Sequence, residues 1–166
     1  MKSWVGTVRD KKGHEFNDHA KIRFEELGLS AESDVKVSKI LQRKMEKDFG
    51  DVDVLAWNKE SGIVYLVECK DLEFSKTQGE IAKQIYEFRG QVRHDGKDDR
   101  LKKHLERCRT LKENTAALMK YLNMQTLREI HIVLLFKQVV PIPFHNPINE
   151  LPIKIVFFDE LNVLLN

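Results

Sequence analysis

Asp53, Glu68 and Lys70 are the residues whose types and spacing point to chemistry. The segment Asp51 to Trp57 (DVDVLAW) alternates polar and apolar residues, so Asp51 and Asp53 share one face of a strand. Gly62 to Lys70 (GIVYLVECK) is an apolar, β-branched run in which Glu68 and Lys70 share a face for the same reason. Asn58 to Gly62 reads as a turn, and the two strands as a hairpin. With the turn near residue 60, residues whose numbers sum to about 120 or 121 lie opposite, which sets Asp53 beside Val67 or Glu68. Two close carboxylates repel unless a cation lies between them, commonly a divalent metal. A Glu-x-Lys on a strand is often only a solvated face. Here it ends the run Ile63 to Val67, which reads as buried on both sides, where an unpaired charge is costly. The set fits Mg²⁺ and metal-assisted attack of water on a phosphodiester, with Lys70 orienting the water and stabilising developing charge. Asp51 is the rival first acid, although it is better placed to cap the turn.

Several elements must position these groups. Phe16, Ala20, Phe24 and Leu27 recur at helical spacing from His14 to Leu27, and Gly28 is placed to end that helix. Asp34 to Leu41 reads as a strand. After Lys70, the residues Ile81, Ile85, Phe88 and Val92 predict a second helix, and residues 94–99 (HDGKDD) a turn. Leu101, Leu105, Cys108, Leu111, Thr115, Leu118 and Leu122 mark one long amphipathic helix, with Arg100, Lys103 and Arg107 on its outer face. Ile130 to Val140 and Ile153 to Phe158 read as two closing strands around a Pro-punctuated loop. The expected fold is a single α/β domain over residues 1–166, a mixed central sheet flanked by helices.

Composition narrows the class. The 166 residues are 42% hydrophobic and 33% charged, enough for one core without disulfides or a structural metal. No apolar run reaches the length of a membrane span, and the first residues, MKSWVGTVRDKKG, lack a signal's apolar core. With only Cys69 and Cys108, the chain reads as cytoplasmic with free thiols. The net charge is only +2, but residues 76–128 hold 13 Lys and Arg against 7 Asp and Glu. That excess either solvates helix faces or meets phosphates. The six His and two Cys show no zinc spacing, and there is no Walker loop or nucleophile elbow.

Gly50-Asp51-Val52-Asp53-Val54-Leu55, followed by Glu68-Cys69-Lys70, resembles the PD-(D/E)XK phosphodiesterase superfamily, the restriction-endonuclease-like fold. With Lys12-Gly13-His14-Glu15-Phe16 upstream, it is similar to Mrr-like and NERD-like nucleases and archaeal Holliday-junction resolvases. The resemblance covers about residues 12–92, leaving the basic helix and closing strands in 93–166. It implies a metal-dependent DNA endonuclease using Mg²⁺, with Mn²⁺ as a substitute. Asp53 and Glu68 would be the acids, Lys70 the catalytic lysine, and the Cys69 carbonyl a further ligand. Relatives often carry a glutamate where this chain has Asn17, so Glu15, on the flank of the Phe16/Ala20/Phe24 stripe, is the candidate accessory acid facing the sheet, with an ordinary first-turn glutamate favoured by the helix dipole as the alternative. Gln84 would support the site or contact DNA, though a solvent-facing glutamine is the ordinary alternative. Arg89, Arg93, Arg100, Lys103 and Arg107 would track phosphates without reading sequence. Phe74 follows the site closely enough to touch a substrate. Relatives are often homodimers. Two further classes stay open: a nucleic-acid-binding module of this fold whose catalysis has lapsed, and an assembly domain using the apolar segment Ile153 to Leu165.

Overall fold

The computed structural model describes residues 4–73, 75, 77–140 and 150–165. Its elements run α1 (Trp4–Glu26), β1 (Ser30–Lys36), α2 (Val37–Leu41), β2 (Asp51–Asn58), β3 (Ile63–Lys70), α3 (Gln78–Tyr86), α4 (Arg100–Glu113), α5 (Thr115–Leu122), β4 (Glu129–Phe136) and β5 (Lys154–Phe157). A kinked 3-10 helix, Phe158–Leu165, follows. The strands form one five-stranded sheet in sequence order, antiparallel from β1 to β3 and parallel from β3 to β5. The expected mixed α/β sheet flanked by helices is therefore present.

Helix α1 lies on one face because Phe16, Ala20 and Phe24 form a single buried stripe against Val54, Ala56, Tyr65 and Val67. It stops at Gly28, whose positive φ lets the Gly28 and Leu29 amides bond back to Glu25 and Phe24, closing the helix end. The 3-10 helix adds Leu161 and Leu164 to the same cluster. On the opposite face α2, α4 and α5 bring Val37, Ile40, Cys108, Leu111, Leu118 and Leu122 against Leu55, Trp57, Val64 and Leu66.

Several boundaries differ from the periodicity, beginning with α1, which starts at Trp4 and not His14, and β1, which starts at Ser30 and not Asp34. The strand expected over Asp34 to Leu41 is strand only to Lys36; Val37, Ile40 and Leu41 then fall at helical spacing and form α2. Helix α3 ends at Tyr86, before Phe88 and Val92, and Val92 is exposed and bridges to Asp98. The single long helix is two: Asn114 leaves helical geometry (φ −121°, ψ 45°) and donates its side-chain amide to the Thr110 carbonyl. The first closing strand ends at Phe136 rather than Val140. Most of the Pro-punctuated loop lies outside the described residues, as does Phe74.

Candidate active site

The β2–β3 hairpin sets the site. Its turn is closed by Asn58, whose side chain accepts the Glu60 and Ser61 amides, and Gly62 supplies a positive φ. A side chain at Gly62 would also press on the Arg128 and Thr126 backbone. The register runs from Asn58 opposite Ile63 to Val54 opposite Val67. Continued by one residue, it sets Asp53 opposite Glu68, within the sequence expectation. There the Asp53 carboxylate accepts the Cys69 backbone N–H at 2.8 Å, bonding across the two strands.

Lys70 lies between the two acids, its Nζ 2.7 Å from Glu68 Oε1 and 3.6 Å from Asp53 Oδ2. The other Glu68 oxygen takes Arg107 from α4 at 2.8 Å, with buried His104 at 3.6 Å. Arg107 also donates Nε to the Phe49 carbonyl at 3.0 Å, tying the loop before β2 to the acid. Only 7% of Glu68 is exposed. Burial would raise its pKa, but the cations around it hold the carboxyl down at about 2. Burial also drives His104 down to about 4, so at neutral pH that attraction comes from Lys70 and Arg107. Asp53 is pushed the other way, to about 6, by burial and by the Glu68 charge, against the pull of Lys70 and the Cys69 amide. Burial opposes the charge on Lys70, but the two carboxylates outweigh it and raise its pKa, so the ammonium persists at neutral pH. Lys70 is thus a donor and a point charge rather than a base.

Among the described residues no group of three His, Cys, Asp or Glu side chains comes together as a metal cage. The donors present are Asp53, Glu68 and backbone carbonyl oxygen. That set fits Mg²⁺, which uses one or two carboxylates and keeps most of its waters.

Asp53, Glu68, Cys69 and Lys70 come together as the sequence suggested, and Arg107 joins them in an unexpected role. The spacing puts it on the outer face of its helix, but it is nearly buried and points to Glu68, a reach made from the flank of the stripe by a long side chain. Glu15 does not face the sheet: it is exposed, and the inward residue of that turn is Asn17, which is buried and donates to Asp34. The turn before β2 is capped by Asp48, which accepts the Gly50 amide, while Asp51 begins the strand opposite Lys36. Gln84 is half-buried and donates to the Glu73 carbonyl, just after β3. Arg89 stacks over the Tyr86 ring at 4.1 Å, Arg93 bonds Asp95, and Arg100 pairs with Glu87. Lys103 is exposed. His104 was missed, although a histidine three residues after Leu101 and four before Cys108, on an apolar stripe, was the available signal.

A mixed-sheet α/β protein with two acids, a lysine and a supporting arginine in one cluster is the class that fold and site define. A family described as anti-phage protein, Upx-like, matches residues 1–155, and the chain belongs to that family, which points to a role in phage defence. No curated protein and no solved structure matches it.

Proposed function

We propose that the chain is a divalent-metal-dependent DNA endonuclease acting in phage defence. The observation that supports this best is the convergence of Asp53, Glu68 and Lys70 at the end of a buried hairpin, together with the resemblance of the two motifs to PD-(D/E)XK nucleases. Ion pairing alone is a poor reason to bury this set, because desolvating charges usually costs as much as their attraction returns. Asp53 and Glu68 with the Cys69 carbonyl would hold Mg²⁺, which when bound polarises a phosphoryl oxygen and acidifies a water. Lys70, kept cationic by both acids, orients that water and stabilises charge on the phosphorane. Arg107 fixes the carboxylate of Glu68 while its Oε1 faces Lys70.

Plasmid and linear DNA incubated with wild type, Lys70→Ala and Glu68→Ala in Mg²⁺ and in EDTA test the reading. Wild type is expected to cut only with metal, and each variant to lose about 100-fold or more in rate, the scale of removing one charge-stabilising group. Equal cutting by wild type and Glu68→Ala ends the assignment.

A further inference from the structure

Of the cations expected to track phosphate, Arg93, Arg100 and Arg107 pair with Asp95, Glu87 and Glu68, while Arg89 lies over the neutral Tyr86 ring and Lys103 is exposed. Further charge without a carboxylate partner lies in the half of the sequence that gave no such signal. The segment from the end of β1 through α2 to the start of β2 encloses an open groove of about 590 Å³. Its charged lining is Lys36, Arg43, Lys44 and Lys47 against Asp48 and Asp51. Lys47 is paired with Glu106 at 2.6 Å, and Asp48 is occupied by the Gly50 amide. Arg43 donates to a neutral acceptor, Asn114, and among the described residues has no carboxylate within ion-pair distance. Among the described residues, neither Lys36 nor Lys44 has a carboxylate within ion-pair distance.

The groove is held open and linked to the site. The αL turn at Gln42 ends α2, and the Val37 amide bonds the Gly50 carbonyl, fixing both walls. One wall is Phe49-Gly50-Asp51, directly before Asp53, and the Phe49 carbonyl accepts from the same Arg107 that grips Glu68. A second cavity, of about 290 Å³, shares Lys47, Asp48, Phe49 and Gly50 with it and adds exposed Lys103 and the nearly buried Arg107 beside Asp98 and Glu106.

We infer that this groove binds the sugar–phosphate backbone of DNA and leads the strand to the Asp53–Glu68–Lys70 cluster, an inference that rests on the proposed nuclease reading for its direction but not for its binding. Three flexible cations without base-reading partners make contacts to phosphate, which carry affinity and salt sensitivity rather than sequence preference.

The test is fluorescence anisotropy of a labelled DNA duplex of about 20 base pairs in EDTA, where no cutting intervenes, across a salt series. Lys36→Ala/Arg43→Ala/Lys44→Ala is expected to weaken binding roughly tenfold or more, and to lower the slope of log affinity against log salt by about 2 to 3. Lys59→Ala/Lys120→Ala/Lys154→Ala, which removes equal charge from exposed positions elsewhere, is expected to change both much less. Lys44→Glu, a single exposed change safe for folding, is expected to weaken binding on its own. Equal losses in the two triple variants, no duplex binding by wild type at low salt, or tighter binding of an RNA duplex of the same sequence would each overturn the inference. Because binding is read without metal, a protein that binds through this groove but never cuts loses only the nuclease reading. One that cuts normally after the triple change loses only the groove.

Discussion

The two faces of the sheet are built to different rules. Under α1 the buried contacts are almost wholly apolar, and the polar residues there, His14, Asn17, Asp18, Ser33 and Asp34, pair at the margin. Under α4 the apolar cluster continues into Glu68, Lys70, His104 and Arg107 at the end of β3. Charges that could have stayed at a rim are buried on one face only. Apolar packing stabilises in proportion to the area removed from water, whereas a buried ion pair at best breaks even against its desolvation. Both faces therefore draw stability from apolar packing, and the α4 face in addition carries groups whose retention needs another reason.

That contrast can be broken by substitution. Phe24→Ala, in the α1 stripe, is expected to cost about 4 kcal/mol by denaturant unfolding. A loss under about 1 kcal/mol would mean the α1 face is not the anchor. Arg107→Ala removes one of two cations from buried Glu68 and is expected to cost about 3 kcal/mol, with a larger loss at pH 7 than at pH 3. The direction follows because the Glu68 carboxyl is held at about 2, below its ordinary value, by its cations, so its stabilisation is present above about pH 4.5 and fades as pH falls toward 2. Asp53→Asn acts in the opposite sense. Asp53 is raised to about 6, so its ionised form is a burden above that pH, and the variant is expected to be more stable than wild type at pH 8 by about 1–2 kcal/mol. The gain should vanish as pH drops through 6 toward 4, where wild type takes up its proton. Thermal melts across pH check both signs. A variant less stable at pH 8 would show that Lys70 needs this acid more than burial resents it.

Much of this was legible in the chain. The hairpin register followed from a turn rich in Asn, Ser and Gly between two alternating runs, and it placed the acids correctly because a period of two leaves little freedom. Where a helix stops was less legible. The apolar stripe continues through Asn114 and past Tyr86, so periodicity alone reads one helix where backbone geometry makes a break. The pairing of Arg107 with Glu68 was hidden for another reason: the two are 39 residues apart, and only the packing of α4 on β3 brings them together. The loop of Lys36, Arg43 and Lys44 was hidden by averaging, since nearby acids cancel it in any count over residues 1–75.

Cys69 sits between the acid and the lysine in sequence, yet its thiol points to the α1 side, where burial and the surrounding carboxylates hold it protonated. Cys108 is likewise closed off under α4. Neither sulfur can react with an alkylating reagent until its own layer parts from the sheet. The pair therefore gives the molecule two native clocks, one per layer, whose labelling times report separately how often each side opens.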